Sequence, residues 1–309
     1  MLCLVGAMFA GAIAPVALPA TRIFFNEHAE VVVPPMIMAM LLFAFIDIHF
    51  SRESTGWSHV RIPLFMVAVA TAAYFVVGKI AGLCGSAHAH DFAVMAFLIG
   101  MSPTANAAPV ITGLLGRRED YATVSVVSTN LFAAFALAPL TALVMGVAIE
   151  FNVSELAWKI ILLIGTPFAL SLIFRKFFPP AAAFIRRYKR FSFYLWMVML
   201  FTVCAQSSSY ICERWEIDSL SPMLLLEIFL ISAVMCAINF SAGYALGESR
   251  FRRECSQSLG QKNTMLMLWV GLAFFNPIVA LGPTFYVVCH NLWNSWQLRR
   301  ADKNATTIK

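Results

Sequence analysis

Apolar residues run along this chain in ten long stretches separated by short polar segments. Each approaches the roughly 20 apolar residues that a helix needs to cross a bilayer core. The pattern predicts spans at 2–19, 31–49, 62–84, 92–115, 122–150, 157–174, 193–211, 222–246, 256–275 and 277–296. The first stretch ends Ala17-Leu18-Pro19-Ala20 and has the look of a signal peptide, but no Lys or Arg precedes its apolar run. Removing it would leave an odd number of spans, so it is read as a true first span.

Two stretches are built differently. The fourth contains Ser102-Pro103-Thr104-Ala105-Asn106-Ala107-Ala108-Pro109. Proline removes a backbone donor and clashes with the preceding turn, so Pro103 and Pro109 should interrupt the helix between them. The ninth opens Ser256-Gln257-Ser258-Leu259-Gly260-Gln261-Lys262-Asn263-Thr264, too polar to face lipid, with Gly260 as its flexible point. Irregular backbone at membrane depth is tolerated only where it lines a cavity or is buried in protein. Split into five plus five, the chain puts these two spans at the same place in each half, and an odd number of spans per half makes the halves inverted. Interrupted spans in matching places of inverted halves point to the binding site of a secondary transporter. The alternative is a pair of packing kinks. The expected fold is an all-α integral membrane protein of ten transmembrane helices in two inverted five-helix repeats, residues 1–151 and 152–298, followed by a tail at 299–309.

Composition agrees. Hydrophobic residues make up 60% of the 309 and charged residues 12%, about half the charge of a soluble domain. That excludes a soluble enzyme, a disordered chain and a disulfide scaffold. Of the 22 Lys and Arg, three (Arg22, Lys159, Arg214) fall on one side of the ten-span topology and two (Lys79, Lys262) lie inside spans, which leaves 17 on the other side. Such asymmetry places both termini in the cytoplasm and the chain, multi-pass, in the cell inner (plasma) membrane. The net charge of +6 is thereby sorted by loop, so the bilayer is a partner and nucleic acid is not. Lys79 lies one turn from the end of its span and can snorkel to the interface.

From these residues the chain resembles the bile acid:sodium symporter family, within a wider bile, arsenite and riboflavin transporter superfamily. The resemblance runs over most of the chain. It is clearest at 34–51, 100–116 and 258–296, the last with Gly260, Asn263, Phe275-Asn276-Pro277, Ala280-Leu281 and His290-Asn291. It implies ten helices in two inverted repeats, with the fourth and ninth helices broken and crossing near mid-membrane. It also implies a panel and a core, and transport of small organic anions, usually coupled to sodium. Sodium-coupled members carry Thr-Ala-Ser-Asn after the proline of the fourth helix, and its last two side chains help hold sodium. Counted from Pro103 those two fall on Ala108 and Pro109, whereas a one-residue gap lets Thr104-Ala105-Asn106 supply the Asn. In the ninth helix the family's Glu-x-Gly-x-Gln-Asn reads Ser258-Leu259-Gly260-Gln261-Lys262-Asn263. The carboxylate has become Ser258 and the amide ligand Lys262. The reactive cysteine of arsenite carriers is replaced by Thr104.

Sodium needs oxygen ligands, and an anionic one offsets much of its dehydration. An ammonium about 4 Å away repels it by about 4 kcal/mol at an effective dielectric constant near 20. Sodium coupling is therefore expected to be lost, with Lys262 standing where the cation stood and meeting backbone carbonyls, Asn106, Asn130 or Gln261. Two further readings keep Lys262 active: it carries a proton between the sides, or it pairs with an anionic substrate. A fourth has it snorkelling to the cytoplasm. In the fifth span Ser128-Thr129-Asn130 place three polar side chains in a row. The resemblance makes Ser128 and Thr129 candidates for lining an ion site, and Asn130 needs a partner across the crossing. Hydroxyls bonding their own helix carbonyls are the alternative.

The substrate- or ion-binding candidates are thus Thr104, Asn106, Ser128, Thr129, Asn130, Ser258, Gln261, Lys262, Asn263 and Thr264, with breaks at Pro103, Pro109 and Gly260. No cofactor or resident metal is expected, since His88-Ala89-His90-Asp91 falls short of a zinc set. Asp47, Glu227 and Gln206-Ser207-Ser208-Ser209 are lesser polar candidates within spans. The leading expectation is a sodium-independent secondary transporter of a small organic anion, proton-coupled or exchanging. A sodium symporter and a sensor or scaffold on a transporter fold are the alternatives.

Overall fold

The computed structural model describes residues 2–18, 20–46, 54–146, 152–188, 191–216 and 221–307. Among them the chain is all-helical, in the order α1 (Leu2–Ala17), α2 (Ala20–Ile46), α3 (Ser58–Leu83), α4 (Ala89–Met101), α5 (Ala108–Leu114), α6 (Glu119–Met145), α7 (Val153–Phe177), α8 (Pro179–Arg187), α9 (Phe191–Glu216), α10 (Pro222–Leu246), α11 (Arg252–Gly260), α12 (Thr264–Phe274) and α13 (Pro277–Thr307). Asp47 lies outside the described residues.

Local chemistry sets several helix starts. The Asn152 side chain accepts the Ser154 amide at 2.9 Å to open α7, and Ser221 Oγ accepts the Leu224 amide at 3.1 Å ahead of Pro222 at the start of α10. Such caps satisfy amides that have no partner within the helix. Glu119 and Asp120 in the first turn of α6 suit the positive end of its dipole.

Among the described residues five helices, α3, α6, α7, α9 and α10, are individually long and apolar enough to cross a membrane. Their outer faces carry large apolar side chains, with Leu143 79% and Phe135 69% exposed. A water-facing surface does not carry such a density of bare apolar residues, and the protein is a multi-pass membrane protein. The expected second span begins earlier than its apolar run, at Ala20, because the helix continues through the polar stretch from Arg22 to Glu30. The fourth and ninth expected spans are each two helices, α4 with α5 and α11 with α12. The short basic helix α8 lies between the expected sixth and seventh spans, and the expected tail at 299–309 is helical as far as Thr307.

Packing sorts the helices around the breaks. α1 lies along α9, and α2 lies against α7 and α9. α3 packs on α4, α10 on α11, and α12 on α13. Gly243 and Gly247 of α10 make the α11 contact possible, since a Cβ on Gly243 would stand 2.7 Å from the Cys255 carbonyl oxygen and one on Gly247 2.7 Å from Arg252 Cα. Asn276 Nδ2 donates to Asp91 Oδ1 at 2.7 Å, tying the turn between α12 and α13 to the start of α4.

Candidate functional site

Between α4 and α5 the backbone is unwound from 102 to 107, and between α11 and α12 from 261 to 263. These segments have lost their helical hydrogen bonds, and buried backbone groups must find other partners. They find them in each other. Thr104 and Lys262 form an antiparallel bridge. The Asn263 amide donates to the Pro103 carbonyl at 2.7 Å and the Ala105 amide to the Gln261 carbonyl at 2.8 Å. Two broken helices thus meet through a two-rung piece of β-ladder.

Side chains complete the pairing. The Thr104 amide donates to Thr129 Oγ1 at 2.9 Å, and Asn130 Nδ2 donates to the Thr104 carbonyl at 3.1 Å. Thr104 Oγ1 donates to the Ser258 carbonyl at 2.7 Å, so one residue of the first break holds the last turn before the second. Asn263 Nδ2 reaches Asn130 Oδ1 at 3.4 Å, and its own Oδ1 accepts the Leu266 amide to cap α12. The Thr264 amide returns to the Lys262 carbonyl at 2.8 Å. The Tyr286 hydroxyl on α13 donates to the Gly260 carbonyl at 2.7 Å, with Asn239 Nδ2 of α10 against that hydroxyl at 3.4 Å. Neither Tyr286 nor Asn239 was expected. In the sequence they are ordinary residues within apolar spans.

Lys262 is 1% exposed, and its Nζ donates to the Gly100 carbonyl at 3.2 Å, in the last turn of α4. That carbonyl is one of the acceptors left without a helical partner by the break. Among the described residues the expected side-chain partners Asn106, Asn130 and Gln261 make no hydrogen bond with Nζ; Gln261 Nε2 instead donates to Gln257 Oε1 at 2.7 Å. Among the described residues no carboxylate pairs with Lys262. The nearest acid before it on α11 is Glu254, eight residues back and about 12 Å along a helix, and it accepts the Arg118 amide at 3.4 Å. Snorkelling therefore fails as an account of Lys262: its ammonium is inside the protein.

A cavity of ≈ 30 Å³ adjoins the ammonium, lined on one wall by Asn106, Gln261, Lys262, Asn263 and Thr264 and on the other by Ile37 and Met40 of α2 and Trp196, Met199 and Leu200 of α9. That is space for about two waters. Met40, Asn106, Ala107 and Trp196 also line a second cavity of ≈ 40 Å³, which runs to Thr123 and Ser192 at the starts of α6 and α9. Three buried oxygens, Ser102 Oγ, Asn106 Oδ1 and Ser258 Oγ, have no hydrogen-bond partner among the described residues.

Most candidates therefore converge, and the exceptions have plain causes. Ser128 is half-buried and bonds its own helix at the Ser125 carbonyl, 3.3 Å away. Pro109 does not break a helix: it sits in the first turn of α5, where its missing amide costs nothing. Gly260 is not a flexible point but the last helical residue of α11, where a Cβ would lie 2.3 Å from Phe240 Cδ1. Gln206-Ser207-Ser208-Ser209 lies off the cavity and fastens α9 to its neighbours, Ser208 Oγ to the Ala12 carbonyl at 2.6 Å and Ser207 Oγ with Thr284 Oγ1 at 2.9 Å. Glu227 lines a separate apolar groove between α3 and α10.

A multi-pass helical bundle whose two broken helices meet beside a small cavity with one polar wall defines the class: a membrane transporter. A family model, the sodium bile acid symporter family, matches residues 36–214. The match covers more than half of the chain, which belongs to that family. It takes in the first break and ends before α11, so Lys262 falls outside it. A search of curated proteins finds no match.

Proposed function

We propose that the protein is a secondary active transporter of a small organic anion, in which Lys262 supplies at the crossing the positive charge that sodium supplies in relatives. The observation that carries this is the buried ammonium on the Gly100 carbonyl, with no carboxylate beside it among the described residues. A dissociable sodium ion next to that charge has nothing to offset the repulsion. The same ammonium offers a docking charge to a carboxylate substrate in the adjoining cavity, or a group that gives up and regains a proton as the site changes sides.

The ten-span reading takes α4 with α5, and α11 with α12, as single crossings and leaves α8 at the surface. It pairs α1, α2, α3, α4–α5 and α6 with α7, α9, α10, α11–α12 and α13, as two inverted repeats over 1–151 and 152–298. Helix contacts support it because they repeat under this exchange. α3 on α4 matches α10 on α11, and α5 on α6 matches α12 on α13. α2 on α7 matches α9 on α1, and α6 on α11 matches α13 on α4. In this arrangement α1, α2, α7 and α9 are the panel, and the remaining helices are the core that carries the crossing. The substrate moves between them, past Met40 and Trp196, and the basic residues and both termini mark the cytoplasmic side.

Sodium coupling is a second reading, favoured by the buried oxygens of Ser102, Asn106 and Ser258 that lack hydrogen-bond partners, the donor type sodium takes. Thermal stability of the purified protein in sodium or choline at equal ionic strength separates the two. A ligand that binds only the folded state raises the melting temperature as its concentration passes Kd. The expected result is no sodium-specific shift in the wild type or in Lys262→Gln, and a lower Tm for Lys262→Ala. A sodium-specific rise in the wild type overturns the proposal in favour of sodium symport. Flux of small carboxylates into proteoliposomes, absent in Lys262→Ala, separates a carrier from a sensor, which would bind without flux.

A further inference from the structure

A larger cavity of ≈ 570 Å³, sharing no lining residue with the one at Lys262, lies where α10, α11 and α13 meet the connection from α5 to α6. Arg117 from that connection, Arg253 from α11 and Arg300 from α13 line it, and no Asp or Glu does. Nearby acids are engaged elsewhere: Asp120 pairs with Arg118 at 2.7 Å, and Glu254 accepts the Arg118 amide. Among the described residues Arg117 and Arg253 make no ion pair, and Arg300 lies over the Trp296 ring at 5.4 Å. The three arginines are exposed and reach one cavity from three elements, and guanidinium is the group best shaped to grip phosphate oxygens.

The rest of the wall mixes Ser241, Ser256, Gln257 and Gln297 with an aromatic run. Phe240 and Trp293 stand 5.9 Å apart, and Trp293 stacks on Trp296 at 4.9 Å. Trp296 is 50% exposed beside Arg300. Tryptophan beside arginine at a span's end is the composition of the membrane–water interface, and an inorganic anion has no use for an aromatic shelf. We propose that this cavity holds an anionic phospholipid, its phosphate among Arg117, Arg253 and Arg300 and its acyl chain along Trp293, Trp296 and Phe240. Basic pockets between transmembrane helices hold lipid headgroups by this chemistry.

The site communicates with the crossing. Gln257 in its wall donates to Gln297 Oε1 at 2.6 Å and accepts from Gln261 Nε2 at 2.7 Å, while the Gln261 carbonyl takes the Ala105 amide. A bound lipid therefore braces the α11 end of the same hydrogen-bonded chain that joins the two breaks.

The test is the melting temperature of the full chain in neutral detergent, with added phosphatidylglycerol, phosphatidylcholine or soluble glycerol phosphate. Phosphatidylglycerol is expected to raise Tm in proportion to the logarithm of its concentration above Kd, by on the order of 5 °C at a hundredfold excess, and the other two are not. Arg117→Gln/Arg253→Gln/Arg300→Gln should abolish the rise. Arg300→Gln alone, in case the triple variant folds poorly, should weaken apparent affinity about tenfold. A variant losing three charges elsewhere, Arg175→Gln/Lys176→Gln/Arg187→Gln, should keep the wild-type response. An equal rise with phosphatidylcholine, an equal rise with glycerol phosphate alone, or equal loss in the second triple variant would each overturn the proposal.

Discussion

Thr104 uses every polar atom it has across the two breaks: its amide goes to Thr129, its carbonyl to Asn130 and its hydroxyl to the Ser258 carbonyl. Thr104→Val keeps the shape and removes only the hydroxyl donor. The Ser258 carbonyl then stays buried without that donor, which costs about 1–3 kcal/mol. The expected outcome is a lower melting temperature, largely recovered in Thr104→Ser; a Val variant as stable as the wild type would refute this role. The sequence made part of this site readable. A lysine two turns into the ninth span, and a threonine and asparagine side by side in the fifth, are polar residues where hydrocarbon forbids idle ones. Tyr286 and Asn239 were not readable, because their polar tips matter only once α10 and α13 are placed beside Gly260.

At the scale of helices, Pro103 announced the first break because its chemistry acts locally. The second break has no proline, and Gly260 drew attention for the wrong reason. Its place is set by the Phe240 ring, a contact between residues 20 apart in sequence that only the packing of α10 on α11 creates. Gly260→Ala should therefore behave as an overpacked core site, losing about 1–3 kcal/mol, and Phe240→Leu should restore most of the loss. If Gly260 served flexibility instead, the second substitution would rescue nothing; paired thermal melts of the single and double variants decide. The short helix α8 was missed because nine residues, rich in alanine and arginine, carry no span-length signal, and its Pro179-Pro180 start resembles a loop.

For the whole molecule, the proposal makes the contact of α2 and α9 with the crossing the surface that must open. Met40 and Ala107 line both small cavities. With the seven native cysteines replaced, cysteines at these two positions joined by a short bifunctional thiol reagent should stop flux, and reduction should restore it. Undiminished flux in the joined protein would place the moving surface elsewhere.

The ammonium of Lys262 is tied to the chain by its own side chain and cannot be released on either side of the membrane. A carrier built around a dissociable cation draws work from that cation's gradient each time it lets go; a tethered one has no such gradient to spend. An anion carried without a companion charge instead meets the membrane potential directly, at about 2.3 kcal/mol per 100 mV. With the interior negative, a monovalent anion would settle about fifty times more concentrated outside. Unless a proton or a second anion travels with each cycle, such a protein empties the cell of its substrate rather than filling it.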